Sequence, residues 1–339
     1  MTGGRDAIDA VAARFYSTHA SVYGRFGDRG REACREDLSY HLDFLRPVLE
    51  FGTPAPMVEY LRWLKQVLTS RGVPDAHLAL SVEWLAEHFA LSTPQPEGRL
   101  IAKALRKVKR SFLKDDGSRP AIYSRMPTDW PQCEEFEGAL LSGQSQSAAK
   151  IVGVAQAAGC SLIDIELHII QPALYRIGQK WQCNQVSVAQ EHLATAIAQA
   201  VMIQGLLNAQ PATAIGRKIL LACVQTNRHA VGLQMVADAF QLSGWSVNYL
   251  GADVPTTSLV SYAIDWKPDV IGLSVSLPHQ LRYAKAVIRR VHELKDLCAK
   301  VVIGGLAINS FSSLTDQIGA DLWSPDAAEA VIAAERLIA

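Results

Sequence analysis

The last third of the chain, from about Ala214 onward, alternates between short apolar runs of strand length and longer segments with helical periodicity. The four apolar runs are Lys218–Val224, Trp245–Gly251, Asp269–Ser276 and Lys300–Gly305. Because strands that alternate with helices are joined by crossover connections, this pattern predicts a parallel, doubly wound α/β sheet. Ligands of such sheets bind outside the carboxyl ends of the strands. The functional residues of this region are therefore expected directly after each strand.

Three segments occupy such positions: residues 225–232, 274–279 and 304–309. The first contains Thr226-Asn227-Arg228-His229-Ala230-Val231-Gly232 and opens a helix. It lacks the GxGxxG pattern, so a dinucleotide is not favoured. A single histidine in a loop is most often an ordinary surface residue, so His229 gains its importance only from its neighbours.

These segments resemble the cobalamin-binding module of methionine synthase and its relatives. That family carries Asp-x-His-x-x-Gly, then Ser-x-Leu, then Gly-Gly. The corresponding residues here are Asn227, His229 and Gly232, then Ser274 and Ser276, then Gly304 and Gly305. The intervening segments, of 41 residues (233–273) and 27 residues (277–303), are similar to the family spacing. The resemblance implies that residues 213–339 form a Rossmann-like domain that binds cobalamin.

The resemblance also implies a role for each of these residues. His229 would be the lower cobalt ligand through a neutral imidazole nitrogen, and Ser274 would hydrogen-bond the buried nucleotide tail of the cofactor. The glycine pair would let this tail pass close to the backbone. Asn227 stands where the family has an acid, and a neutral amide supports the basicity of a histidine ligand more weakly than a carboxylate does. Ser276 replaces leucine, which we interpret as a tolerated packing change.

The middle region, residues 120–212, holds segments with helical periodicity at 147–158, 162–180 and 186–207. Consecutive amphipathic helices with short turns predict a four-helix bundle. In this region Trp181 is followed ten positions later by Glu191 and His192. Without a neighbouring cofactor module, a core tryptophan and an ion pair on a helix face would be the ordinary interpretation of these residues.

Beside a cobalamin module, Trp181, Glu191 and His192 resemble the cap of the B12-dependent photoreceptors of the CarH and LitR type. In that family the three side chains pack over the adenosyl group of adenosylcobalamin. Its members carry a histidine directly after the tryptophan, where this chain has Gln182. A second histidine ligand from that position is therefore excluded. Corrinoid methyl carriers have a similar helical cap without this signature.

The first region, residues 1–119, is expected to be helical, because its apolar residues recur at helical spacing. It lacks the recognition helix and basic balance of a winged-helix DNA-binding domain, so no direct DNA contact is expected. Its stretch 34–64 resembles the N-terminal regions of photocobilins, B12 proteins that also hold biliverdin. Candidate bilin-binding residues are Arg35, Tyr40, His41, Arg46, Trp63 and His88, most of which also fit an ordinary amphipathic helix. The segment 115–120 is predicted to be a linker.

Composition limits the remaining alternatives. Lys and Arg number 33, as do Asp and Glu, so the chain has no general attraction to nucleic acid or anionic membrane. The six cysteines are scattered without a CxxC pair, which argues against a zinc site. No stretch of about 18 apolar residues could span a bilayer. These features predict a cytoplasmic protein with reduced thiols.

Two functions remain open. The first is a light sensor that binds adenosylcobalamin, with or without biliverdin, and signals through self-association or a downstream partner after the adenosyl group is lost. The second is a corrinoid protein that carries methyl groups for methyltransferases. The Trp181 and Glu191-His192 signature favours the first, a signalling function rather than an enzymatic one, and leaves the question of enzymatic activity open. A mutase-type radical enzyme is disfavoured by the length of the chain, which leaves no room for a substrate barrel.

Overall fold

The computed structural model describes residues 3–114 and 128–338, and the chain divides into two compact units, Met1–Pro120 and Ala121–Ala339. The predicted linker at 115–120 lies outside the described residues. Helices and a parallel sheet make up the elements of the described chain, which confirms the predicted fold class. Within the described ranges, no helix is both long and apolar enough to cross a bilayer.

The first unit is helical. Its helices are α1 (Gly4–Thr18), α2 (Ala20–Tyr23), α3 (Gly27–Phe51), α4 (Ala55–Ser70), α5 (Ala76–Ser92) and α6 (Glu97–Leu113). Large apolar side chains such as Leu45, Leu61 and Phe89 are fully buried between them. Helix α3 ends where Gly52 adopts the left-handed conformation, with φ of 74°, which glycine reaches without steric cost. The first unit therefore has a hydrophobic core of its own.

The second unit begins with the predicted bundle. Its helices are α7 (Gln132–Leu141), α8 (Ser145–Ala157), α9 (Leu162–Ile165), α10 (Gln171–Gln182) and α11 (Val188–Asn208), and a π-helical turn, Glu166–Ile170, joins α9 to α10. The sequence predicts one continuous helix over 162–180, and the structure differs by this turn. Pro172 has no N–H to give to the carbonyl oxygen of His168, which instead accepts the N–H of Trp130 at 2.9 Å. The irregular turn is thus satisfied by a neighbouring segment.

The rest of the second unit is the predicted sheet domain. Its strands are β1 (Lys218–Cys223), β2 (Ser246–Tyr249), β3 (Val270–Ser274), β4 (Lys300–Gly304) and β5 (Leu322–Trp323). Its helices are α12 (Val231–Leu242), α13 (Thr256–Trp266), α14 (Leu281–Glu293), α15 (Leu306–Ser310), α16 (Thr315–Ile318) and α17 (Ala327–Ile338). The strands pair in parallel in the order β2-β1-β3-β4-β5. The four predicted strands are confirmed, and β5 is an addition that the sequence did not predict.

The strand order determines where a ligand can bind. The chain winds outward in both directions from the pair β1 and β3, so these two strands flank the topological switch point of the sheet. In sheets of this kind the ligand-binding crevice lies at this point, outside the carboxyl ends of the strands. The bundle lies close to it, because its core cluster also contains three side chains of the sheet domain, namely Met235, Ala239 and Ala327.

Candidate functional site

The loop that follows β1 has a strained backbone. Thr226 has φ of 69° although it is β-branched, and Asp253, in the loop after β2, has φ of 51°. Asp253 Oδ1 accepts the N–H of Thr226 at 2.6 Å, and Asp253 donates its own N–H to the carbonyl oxygen of Asn227 at 2.8 Å. Such conformations cost about 1–3 kcal/mol each, and they concentrate at functional sites. The strain makes this loop a candidate binding site on grounds independent of the sequence pattern.

Asn227 ties this loop to the end of β3. Its side chain is fully buried, and Nδ2 donates to the carbonyl oxygen of Ser274 at 2.9 Å. Its Oδ1 accepts the backbone N–H of His229 at 3.1 Å. The backbone of His229 is held further by the thiol of Cys223, which donates to its carbonyl oxygen at 3.6 Å. The amide of Asn227 therefore orients the histidine through its backbone.

Gln280 is a site residue that the sequence analysis missed. Its side chain is buried, and Oε1 accepts the N–H groups of Ser276 at 3.2 Å and Leu277 at 2.9 Å. Its Nε2 donates to the carbonyl oxygen of Thr226 at 3.0 Å. One amide thus holds together the loops after β1 and β3, which form the two walls of the crevice. A lone glutamine after Pro-His carries no sequence pattern that would have identified it.

His229 has the properties of a metal ligand. It is exposed to solvent in the crevice, while its backbone is fixed by the contacts described above. Desolvation by the surrounding protein lowers the pKa of His229, and the carboxylate of Glu191 acts in the opposite direction. The lowered pKa favours the neutral imidazole near pH 7, the form that binds metals. Because the Glu191 carboxylate acts on the pKa of His229, this residue of the bundle lies near the loop that follows β1.

Three side chains of the predicted cap lie at the ends of two adjacent bundle helices. Trp181 is partly buried against the bundle core at the end of α10, and Glu191 and His192 lie in the first turns of α11. Glu191 Oε2 and His192 Nδ1 are 2.5 Å apart, and the Thr195 hydroxyl donates to Glu191 Oε1 at 3.1 Å. The side chain of His192 is 74% exposed. Gln182, beside the tryptophan, is buried.

The ends of the central strands form one row of residues. Cys223, Ser274 and Gly304 are register partners on β1, β3 and β4. Burial raises the pKa of the Cys223 thiol to about 11, and a hydrogen bond with the Ser274 side chain acts against this rise. Ser274 itself is buried at the end of β3.

The three motif glycines differ in how much space surrounds the position of a Cβ atom. A Cβ at Gly305, which has φ of 97°, would lie 2.5 Å from the carbonyl oxygen of Val275, so this glycine is required by the fold. A Cβ at Gly304 would lie 3.1 Å from the carbonyl oxygen of Ser324. At Gly232 a Cβ would meet nothing within 4 Å. Gly232 thus leaves open space beside the loop that carries His229.

The predicted bilin residues have partners within the first unit. The His41 ring is fully buried: Nδ1 lies 2.7 Å from the carbonyl oxygen of Asp37 and 3.0 Å from Tyr60 Oη, and Nε2 lies 2.9 Å from Ser81 Oγ. Burial lowers the pKa of His41 to about 4, which makes it a neutral core residue. Arg35 pairs with Asp9 and Arg46 with Asp43, Tyr40 is exposed, and Trp63 and His88 are half-buried.

The side chains around His229 fit a metal ion that is already bound within an organic cofactor. Across residues 3–114 and 128–338, no group of three or more His, Cys, Asp or Glu side chains could hold a metal ion. With His229 as a single nitrogen donor, the other ligands of a bound cobalt would come from the cofactor itself. The open space at Gly232 lies beside this nitrogen donor, where a macrocycle would need it.

A second polar cluster lies where the bundle meets α12. Glu166, in the π-helical turn, and Asp238, on α12, are both buried, and each shifts the titration of the other. Burial raises the pKa of both carboxyl groups, and in Glu166 the neighbouring Asp238 raises it further. Within the described part of the chain, the oxygens of Glu166 have no hydrogen-bond partner apart from the carboxyl group of Asp238, to which Glu166 is coupled. The two acids therefore hold at least one proton between them near neutral pH.

Comparison with known proteins agrees with this geometry. Residues 217–332 match the family described as "B12 binding domain", and residues 132–204 match a second family with the same description. The chain is 24% identical to the HTH-type transcriptional repressor CarH of Myxococcus xanthus over 276 residues, which are 78% of this chain and 90% of the repressor.

Corrinoid proteins are also similar. The dimethylamine corrinoid protein 3 of Methanosarcina mazei is 33% identical over 123 residues, which are 36% of this chain and 72% of that protein. The structure of the Methanosarcina barkeri monomethylamine corrinoid protein aligns with a TM-score of 0.51 at 21% identity, over 60% of this chain and 96% of that one. This structural likeness supports the fold. By these matches, the chain belongs to the B12-binding, or cobalamin-binding, protein family.

Proposed function

We propose that the protein is a cobalamin-dependent light sensor whose bundle and sheet domain rearrange when the upper ligand of cobalt is lost. The observation that carries this proposal is the packing of the bundle against the sheet domain: Met235 and Ala239 of α12, the helix that follows the His229 loop, belong to the core cluster of the bundle, against which Trp181 also packs. In this proposal His229 and the predicted cap lie on two sides of one cofactor site, and the effect of the Glu191 carboxylate on the pKa of His229 supports that arrangement. The similarity to a CarH repressor, which extends over 78% of the chain, supports the same function.

Bound adenosylcobalamin would supply a cobalt–carbon bond that light cleaves. The protein would contribute the two sides of the site: His229 would hold cobalt from the side of the sheet, and Trp181, Glu191 and His192 would contact the adenosyl group from the bundle. Without the adenosyl group, these three side chains would lack those contacts. The bundle then occupies a different position relative to the sheet domain, which is a two-state switch driven by lost contacts.

The residues at the strand ends bind the remainder of the cofactor in this proposal. Asn227 and Gln280 keep the crevice open by fixing its two loops, while Ser274 hydrogen-bonds the nucleotide tail that passes the glycine pair Gly304 and Gly305. Gly232 and Ser276 line the entrance. The cost of unpaired polar groups in this crevice, about 1–3 kcal/mol each, makes these hydrogen bonds selective for a ligand that satisfies them.

The proposal extends to a second chromophore and an output. Biliverdin would bind to the first unit through cations and aromatic side chains such as Arg35, Arg46 and Trp63, with Tyr40 and His88 beside them. His41 would act only through the packing of the core, because its ring nitrogens are already engaged. The signal passes in the cytoplasm to a downstream protein or to another copy of the chain, without direct contact with DNA.

Absorption spectroscopy tests this function. The full chain is loaded in the dark with adenosylcobalamin and with biliverdin, and spectra are recorded before and after green and red light. We expect a lasting change of the cobalamin bands together with a change in small-angle scattering. A far-red band that remains with the protein supports biliverdin binding. Photolysis that changes neither the scattering nor the hydrodynamic radius would overturn the switch.

A histidine pair provides the control for the cobalt ligand. His229→Ala is expected to remove the spectral signature of imidazole-ligated cobalamin without unfolding the sheet. His292→Ala alters a half-exposed histidine of α14 that contacts Asp321, away from the crevice, and should leave the spectrum unchanged. A wild-type cobalt spectrum in His229→Ala would refute the assignment of the ligand.

The similarity to corrinoid proteins favours one alternative, a methyl carrier for methyltransferases. The two functions differ in the upper ligand that the cap must hold. A light sensor requires Trp181 and Glu191 for retention of the adenosyl group, so Trp181→Ala should weaken adenosylcobalamin binding much more than methylcobalamin binding. Equal losses for both cofactors, together with methyl transfer in a mixture with a methyltransferase, would favour the carrier.

A further inference from the structure

Helix α11 carries apolar residues on the face that points away from the bundle core. This outer stripe consists of Ala189, Leu193, Ala196, Ala200, Ile203 and Leu207, all of which are exposed. Leu193, Ile203 and Leu207 retain 48%, 53% and 80% of their accessible surface. The buried residues of the same helix, among them Ala198 and Met202, lie on the opposite side of the helical cylinder.

The composition of the outer stripe is that of an interface. Between Leu193 and Asn208 the sequence contains no Lys, Arg, Asp or Glu, although one face of this segment is open to solvent. A scarcity of charged residues, together with exposed apolar side chains, distinguishes the centre of a protein interface from ordinary protein surface. The stripe residues also follow each other at alternating steps of four and three, which is the spacing of a helix that packs along a partner helix.

The outer stripe is symmetric about Ala198. Ala196 and Ala200 lie two positions on either side of it, and Leu193 and Ile203 lie five positions on either side. If two copies of α11 pair antiparallel about this point, Ala196 of each copy faces Ala200 of the other, and Leu193 faces Ile203. Small residues then meet at the centre, where the helices come closest, and large ones fill the space on both sides. A two-fold interface requires this kind of self-complementary patch.

We propose that the outer stripe of α11 is a homodimer interface, in which two copies of this helix pair antiparallel across a two-fold axis at Ala198. The occupant of the apolar face is therefore a second copy of this chain. The proposal does not rest on light sensing or on the identity of the cofactor. The dimer is expected with and without cobalamin, so failure of the light-sensing function would leave this interface intact.

Sedimentation velocity and light scattering of the full chain test the dimer. We expect twice the mass of one chain for the wild type, with and without bound cobalamin. Ala200→Glu places a carboxylate against the stripe of the other copy and should weaken self-association at least about 100-fold. Val154→Glu introduces the same charge at an exposed apolar position of α8, outside the stripe, and should remain dimeric. Circular dichroism checks that both variants are folded.

Two results would overturn the dimer: a wild-type chain that is monomeric at all concentrations, or a folded Ala200→Glu variant that associates as strongly as the wild type. Either result would mean that another occupant, or none, covers the outer stripe.

Disulfide formation tests the antiparallel arrangement. In a background in which the exposed Cys183 and Cys298 are replaced by serine, Leu193→Cys and Ile203→Cys chains are oxidised separately and as a mixture. Equivalent positions lie about 15 Å apart along the axis of the antiparallel pair, which is beyond the reach of a disulfide. We therefore expect cross-linked dimers only in the mixture. Cross-links within each separate sample, and none between the two, would indicate parallel helices and refute the two-fold axis at Ala198.

Discussion

Asn227 shows how a single side chain determines the geometry of the loop after β1. Its amide donates to the carbonyl oxygen of Ser274 and accepts from the N–H of His229, so it serves both walls of the crevice. An acid at this position could keep the second contact, but it would place a carboxylate oxygen against the Ser274 carbonyl. The chain thus gives up the electronic support of a carboxylate for its histidine and gains a tie between two loops.

The substitution Asn227→Asp is expected to lower the free energy of unfolding by about 1–3 kcal/mol, because the buried donor to Ser274 is replaced by an acceptor. Urea denaturation of the cofactor-free protein measures this loss. Asn208→Asp, at the exposed end of α11, makes the same chemical change and should alter stability by less than about 0.5 kcal/mol. If both variants unfold at the same urea concentration, the amide does not tie the loops together.

Substitutions at two glycines distinguish an effect on protein stability from an effect on cofactor binding. Gly305→Ala forces a Cβ to within 2.5 Å of the Val275 carbonyl oxygen at a φ of 97°, and we expect a destabilisation of more than about 1 kcal/mol. Gly232→Ala meets open space within a helix and should stabilise the free protein by up to about 1 kcal/mol. Yet it should weaken cobalamin binding at least about tenfold, if the corrin approaches this backbone.

Thermal melting without cofactor and spectroscopic titration with cobalamin measure the two effects of Gly232→Ala independently. Unchanged cobalamin affinity in this variant would show that the ligand does not use the open space.

Elements with strong periodicity were predictable from the sequence, and elements created by tertiary contacts were not. The strands β1, β3 and β4 are buried apolar runs, so their type and approximate bounds followed from composition. The two-residue strand β5 has no pattern of its own, because it exists only through pairing with β4. The π-helical turn depends on the Trp130 N–H, which comes from a distant segment. Positions after the strands were predictable as site residues, whereas the contacts of Asp253 and Gln280 required the loops to be seen together.

The acid pair at the junction of the π-helical turn with α12 leads to a pH prediction. Burial raises the pKa of Glu166 in the folded protein above its value in the unfolded chain, so the folded protein binds more protons over the interval between the two values. The contribution of Glu166 to the free energy of unfolding is fully present below the pKa that it has in the unfolded chain. This contribution falls as the pH rises towards the pKa of Glu166 in the folded protein. The slope is at most about 1.4 kcal/mol per pH unit for one proton.

Glu166→Gln removes this titration while retaining a group that can donate to Asp238. The variant is expected to be more stable than the wild type near neutral pH, and its advantage should be larger at about pH 8 than at about pH 6. Denaturation curves at several pH values give the slope. Glu135→Gln, at an exposed position of α7, serves as the matched control and should reproduce the wild-type slope. An advantage of Glu166→Gln that shrinks with rising pH would have the wrong sign.

The whole molecule divides its proposed functions between two units. Every residue assigned to the cobalamin crevice, from Trp181 to Gly305, belongs to the second unit, Ala121–Ala339. Its bundle and sheet domain share a core cluster, so the proposed cap and the proposed lower ligand belong to one packed unit. The first unit has its own buried core and holds all of the proposed bilin residues. Units with separate cores are expected to fold independently.

Expression of the two units separately tests this division. Residues 121–339 alone are expected to bind cobalamin with an affinity within about threefold of the full chain, since each proposed contact lies inside that unit. Residues 1–120 alone should give a helical circular dichroism spectrum, bind no cobalamin, and retain any far-red band formed with biliverdin. His229→Ala in the fragment 121–339 controls for nonspecific uptake. If this fragment folds but binds cobalamin far more weakly than the full chain, the first unit must supply part of the crevice, and the assignment of the cofactor site to the second unit alone is wrong.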